Sequence, residues 1–121
     1  MVNATNGKAP PLSQLYVYVT NGCNCSCQHC WIVPAEKSGG APATFLSVSV
    51  LDAALAEARP LGLTSVKWTG GEPTIHPEFH HLLEVQKKHG LFASLETNGM
   101  AVTPELAVKL PDCDVRQVSV S

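Results

Sequence analysis

Residues 15–31 read Leu-Tyr-Val-Tyr-Val-Thr-Asn-Gly-Cys-Asn-Cys-Ser-Cys-Gln-His-Cys-Trp, an apolar run that passes straight into a loop carrying four thiols. Leu15 to Thr20 suits a buried parallel strand, because Val and Tyr favour strands and a sheet covered on both faces has nearly continuous apolar strands. Cys23, Cys27 and Cys30 follow in CxxxCxxC spacing. Three thiolates this close can hold an iron–sulfur cluster and leave one iron without a protein ligand, whereas an electron-transfer cluster takes four cysteines. Cys25 keeps a second reading open. It turns the run into CxCxCxxC, and four thiolates would close a structural zinc site or a saturated cluster.

Two further segments weigh on that choice. Ser65 to Trp68 reads as a short strand that runs into Gly70-Gly71-Glu72-Pro73, and Leu91 to Glu96 reads as the next strand, running into Thr97-Asn98-Gly99. Gly70 and Gly71 allow positive φ or close backbone approach, so the chain at this strand end can present its own carbonyls and amides to a ligand. Glu72 adds a negative charge there. Taken singly, the first segment is also an ordinary Gly-Gly-x-Pro turn, and Asn98-Gly99 is a strong turn dipeptide that needs no ligand.

The cysteine loop after the first strand, GGEP after the second and TNG after the third together resemble the N-terminal half of radical SAM enzymes. The residue before the last cysteine of that signature is often aromatic, and here it is His29. The resemblance implies that Cys23, Cys27 and Cys30 bind three irons of a 4Fe-4S cluster, whose fourth iron chelates the amino and carboxylate groups of S-adenosylmethionine. It places His29 near the adenine, and Gly70, Gly71 and Glu72 at the methionyl ammonium. Thr97 and Asn98 fall at the ribose or carboxylate, and Ser119, with Ser121, on a strand that faces the ribose. A flavodoxin or ferredoxin would reduce the cluster, the sulfonium would be cleaved to methionine and a 5′-deoxyadenosyl radical, and that radical would take a hydrogen atom from substrate. The wider run is most like enzymes that modify ribosomally made peptides or proteins; members that make cofactors share the same motifs. A non-enzymatic module closing zinc or a cluster with Cys25 as fourth ligand is the rival outside enzymes.

Strand and helix signals alternate along the rest of the chain. Ser49 reads as an N-cap with Asp52 three residues on, and Val48, Leu51, Leu55 and Ala58 share a helical face up to Pro60. His76-Pro77-Glu78 reads as the start of a second helix with Pro at its first position, Phe79, Leu82, Leu83 and Gln86 on one side and Gly90 at its close. Thr103-Pro104-Glu105 opens a third, ending near Leu110-Pro111, and Val115 to Ser121 is a fourth strand. The fold class expected is therefore α/β, with parallel βα repeats. The resemblance to radical SAM enzymes implies that its four strands and three helices belong to a partial (β/α)6 TIM-like barrel, and a barrel-like α/β fold puts functional residues at the C-terminal strand ends. Residues 1–11 form a polar lead-in and 12–121 the N-terminal portion of the radical SAM core. At about 30 residues per βα unit, 121 residues hold about four units. A fragment, one half of a split protein or a pair of copies joined at the open edge of the fourth strand would each account for that.

Composition narrows the class. The chain is 45% hydrophobic and 15% charged with a net charge of −2, which fits a packed globular unit. Eight Lys and Arg residues indicate no nucleic-acid partner. No run reaches the roughly 18 apolar residues of a membrane span, and Met1 to Pro11 lacks the layout of a signal peptide. A cytoplasmic location is expected, with the crowded cysteines read as metal ligands rather than disulfides and Cys113 as a buried thiol. Pro34 to Ala43 is a candidate lid or substrate loop. His76, His80, His81 and His89 read as helix-cap or surface residues, with His76 and His80 at metal-ligand spacing but no third ligand.

Overall fold

The computed structural model describes residues 10–22 and 44–121. Four strands, β1 (Gln14–Tyr18), β2 (Ser65–Thr69), β3 (Phe92–Thr97) and β4 (Val115–Val120), alternate with three helices, α1 (Val48–Ala58), α2 (Phe79–Lys88) and α3 (Pro104–Asp112). The sheet order is β1-β2-β3-β4 and every pair is parallel, so each helix is the crossover between neighbouring strands. Parallel pairing requires such crossovers, and they leave every strand's C-terminal end on one edge of the sheet. The α/β expectation of four strands and three helices holds.

Alternation along the strands decides what faces the helices. Val17, Val66, Trp68, Ala93, Leu95 and Val115 are buried and pack with Leu51, Leu55, Phe79, Leu82, Leu83 and Leu110 of the three helices. Trp68 stacks edge-on against Phe79, with ring centroids 5.6 Å apart. Its indole Nε1 donates to Gln86 Oε1 at 3.1 Å, and Gln86 Nε2 donates to the carbonyls of Leu91 and Cys113. Gln86 thus stands on the helix face as the sequence pattern places it, and its fully buried amide ties α2 to β2 and to the turns before β3 and β4. Cys113 is buried, as expected, and burial pushes its thiol above the ordinary range.

The opposite face differs from the sequence reading of β1. Tyr16 and Tyr18 are 58% and 46% exposed, so β1 is not covered on both sides. They share this face with Lys67, Thr69, Glu96 and Ser119, as the register Tyr16↔Lys67, Tyr18↔Thr69 and Glu96↔Ser119 requires. Lys67 Nζ lies 3.2 Å from Glu96 and 5.1 Å from the Tyr16 ring centroid.

Helix starts also shift. The N-cap of α1 is Ser47, whose Oγ accepts from Val50 N, rather than Ser49; the chain turns there because Leu46 N already donates to Val19 O. Helix α2 begins at Phe79 after a 3-10 turn over Pro73–Ile75, so Pro77 precedes the helix instead of occupying its first position. Thr103 and Pro104 open α3 as expected, with Thr103 Oγ1 accepting from Leu106 N. Pro111 is tolerated inside the last turn of that helix. Gly90 follows the C-cap of α2 with φ +72°.

Candidate functional site

The C-terminal ends of β1, β2 and β3 deliver three turns to one place. Strand β1 leads through Val19 and Thr20 to Asn21 and Gly22, where the cysteine segment begins, and the chain returns at Thr44. The two limbs are joined at their base. Thr20 and Phe45 form an antiparallel bridge, Thr20 Oγ1 donates to Thr44 O at 2.7 Å, and Thr44 N donates to Asn21 Oδ1 at 2.8 Å. Cys23, Cys25, Cys27, His29, Cys30 and the 34–43 stretch lie outside the described residues.

Strand β2 ends in the Gly70-Gly71-Glu72 turn, which lies directly on the outgoing limb. Gly71 N donates to Thr20 O at 2.8 Å and Glu72 N to Gly22 O at 2.7 Å. Both glycines are required by this contact. Gly70 has φ +111°, and a Cβ on Gly71 would stand 1.9 Å from Gly22 O, inside any tolerable approach. The backbone that closes on these glycines is therefore the base of the cysteine segment.

Glu72 is only 2% exposed and its carboxylate accepts four protein donors. Oε2 accepts from Thr74 N, Thr74 Oγ1 and Thr97 Oγ1, and Oε1 accepts from Asn98 N at 2.7 Å. The Thr97 hydroxyl also accepts from Gly99 N, and Asn98 Oδ1 accepts from Met100 N. Gly70, Gly71, Glu72, Thr97 and Asn98 are thus brought together from the ends of β2 and β3. Ser119 is exposed on β4, in register with Glu96 and one strand further out; Ser121 N donates to Thr97 O.

Sequence reasoning missed three members of this constellation. Thr20 carries no spacing signal and its role follows only from the approach of the limbs, whereas Thr74 bonds Glu72 two residues back within one turn. His76, read as a helix-cap or surface residue, is instead 5% exposed with both ring nitrogens bonded to backbone. It has no lone pair left for a metal, and His80 gains no partner from it. No group of three His, Cys, Asp or Glu suited to a metal occurs among the described residues. No described helix is long and apolar enough to cross a membrane.

An all-parallel βα sheet with glycine- and hydroxyl-rich turns gathered at its C-terminal strand ends, around the base of a cysteine segment, defines a partial α/β barrel with its site at the strand ends. Residues 17–121 match the radical SAM superfamily, and the chain belongs to that family. Mycofactocin maturase MftC of Mycobacterium tuberculosis (strain CDC 1551 / Oshkosh) is 30% identical over 103 residues, which are 85% of this chain and 25% of that protein. A probable GTP 3′,8-cyclase of Aeropyrum pernix is 35% identical over 115 residues, covering 92% of this chain and 32% of its own length. Among solved structures, Streptococcus suis SuiB bound to precursor peptide SuiA superposes with a TM-score of 0.69 at 22% identity. That match covers 83% of this chain and 21% of SuiB. The chain spans about a quarter to a third of the curated relatives it matches.

Proposed function

We propose that the chain supplies the cofactor-binding, N-terminal half of the radical SAM core domain of an enzyme that acts on a ribosomally made peptide. The observation that carries this is the meeting of the Glu72–Thr97–Asn98 cluster with the base of the cysteine segment at one end of the sheet. The donor set fits a 4Fe-4S cluster and S-adenosylmethionine. Cys23, Cys27 and Cys30 are soft thiolate ligands in CxxxCxxC spacing, and they enter from a limb bonded to the turn that carries a buried carboxylate. Cys23, Cys27 and Cys30 would hold the cluster, which, once reduced, would supply the electron for cleaving S-adenosylmethionine to methionine and a 5′-deoxyadenosyl radical that abstracts hydrogen from substrate.

The chain's own residues do the holding. Glu72 places a carboxylate at the strand end, a group that suits a methionyl ammonium, while its four donors fix the turns around it. Gly70 and Gly71 let the β2 turn lie against the outgoing limb of the cysteine segment. Thr97, Asn98, Ser119 and His29 are the further cofactor contacts in this reading. The relation to a maturase and to a structure that holds a precursor peptide favours a peptide substrate. Cofactor synthesis is the second reading, favoured by the likeness to an AdoMet-dependent heme synthase of Methanosarcina barkeri (strain Fusaro / DSM 804), 31% identical over 103 residues. A flavodoxin- or ferredoxin-type reductant and a cytoplasmic, reducing location complete the proposal, since thiolate ligands need reduced cysteines.

The test is anaerobic reconstitution followed by electron paramagnetic resonance with and without S-adenosylmethionine. A reduced 4Fe-4S signal that changes on adding the cofactor is expected, with Cys25→Ala keeping the cluster and Cys27→Ala losing it. Loss in both variants, or zinc without iron, would replace this reading by a closed structural metal site.

A further inference from the structure

The return limb of the cysteine segment is held by an imidazole that the cofactor reading leaves unused. His76 Nδ1 accepts from Glu78 N at 2.9 Å, and an amide can only donate, so the ring proton sits on Nε2. Nε2 donates to Leu46 O at 2.6 Å, thirty residues away in sequence. The ring also meets Phe45 edge-on, with centroids 5.4 Å apart. Within the same segment, Ile75 N donates to Glu72 O and His76 N to Pro73 O. One end of this 3-10 turn is therefore the Glu72 cluster and the other is the imidazole holding residue 46. Leu46 N completes the arrangement by donating to Val19 O at 2.8 Å.

We propose that His76 is a positioning residue: its neutral Nε2–H tautomer latches the return limb of the cysteine segment to the turn that carries Glu72. The outgoing limb is already bonded to that turn through Gly71 N and Glu72 N. With the latch, both limbs are referenced to one carboxylate cluster. Gly22 and Leu46, on either side of the cysteine segment, then stand in a fixed relation to the Glu72 cluster. This extends the cofactor assignment proposed above and rests on it. Both nitrogens are engaged with backbone, so the ring is not a proton donor or acceptor for the reaction.

The two hydrogen bonds can be separated by substitution. His76→Gln places an amide NH2 near the position of Nε2 and keeps the bond to Leu46, whereas His76→Asn reaches only as far as Nδ1 and keeps the bond to Glu78. Hydrogen exchange of residues 44–46 in the cluster-free chain reads the latch directly. Titration of the reconstituted cluster's resonance with S-adenosylmethionine reads its consequence. His76→Asn should speed exchange at 44–46 and weaken cofactor binding, each by roughly fivefold to tenfold, the weight of one such bond. His76→Gln should stay within about twofold of the native chain in both. Equal behaviour of the two variants, or native exchange in His76→Asn, would overturn the latch. If the native chain's cluster does not respond to the cofactor, the cofactor assignment fails, and the exchange arm still decides the latch by itself.

Discussion

Glu72 and Thr97, twenty-five residues apart, share a buried hydrogen bond of 2.5 Å between Thr97 Oγ1 and Glu72 Oε2, and the next amide, Asn98 N, closes on Oε1 of the same carboxylate. The turns after β2 and β3 are thereby one unit. Because Thr74 contributes its amide and hydroxyl as well, the carboxylate is the hub on which both turns are built.

Glu72→Gln is expected to be costly for that reason. The substituted amide turns a donor toward donors in a site that water does not reach, which costs about 2–3 kcal/mol. Thr97→Val, which removes one donor, should cost about 1–2 kcal/mol. Urea denaturation of both single variants and the double variant should show a coupling of about 1 kcal/mol or more. Simple additivity would show that the two turns are independent.

Gly71→Ala and Gly90→Ala test close approach against backbone strain. At Gly71 the new methyl would meet Gly22 O at 1.9 Å, and neither backbone can move without parting the β2 turn from the cysteine segment. At Gly90, φ is +72° but the nearest atom is Arg59 Nη1 at 3.8 Å. Gly90→Ala should lose about 1–2 kcal/mol and still take up iron. Gly71→Ala should lose more than about 3 kcal/mol and fail to reconstitute. Iron uptake by Gly71→Ala at the native level would contradict the contact.

Gln86→Leu tests the buried amide. The substitution keeps volume but strands the Trp68 indole N–H and the Leu91 and Cys113 carbonyls. A loss of about 3 kcal/mol is expected in urea denaturation. A neutral result would mean that water replaces the amide.

Acid stability carries a separable contribution from Asp52. Hydrogen bonds from His89 and Lys88, at 2.6 and 3.0 Å, hold its carboxyl below the ordinary range. A carboxylate with a lowered folded pKa contributes stability that is present above its unfolded value and lost as pH falls through the folded one. Urea midpoints at neutral pH and near pH 3, just under the usual carboxylate range, should therefore differ less in Asp52→Asn than in the native chain. An unchanged difference would assign the acid sensitivity elsewhere, Glu84 beside Lys109 being the next group with a lowered pKa.

The strands and the order of motifs were legible because the information is local. Val, Tyr and Trp runs that stop at Gly-Gly or Asn-Gly mark strands and the turns that follow them. Caps were legible only to within two residues. Ser47 and Ser49 offer the same hydroxyl, and the choice fell to Leu46 N, which is held by Val19 O. Tyr16 and Tyr18 look like core residues in a strand pattern, but which face is covered depends on where the helices lie.

By itself the sequence determined the alternation of strands and helices, the parallel sheet that such crossovers demand, and the family, since each rests on residues close together in the chain. Only the tertiary structure decided that Glu72 closes on Thr97 and Asn98, that Gly71 lies against Gly22, and that His76 reaches back to Leu46. Those pairs are 25, 26, 49 and 30 residues apart. No local periodicity encodes them. They exist because parallel crossovers bring successive strand ends to one edge, where buried polar groups must find partners.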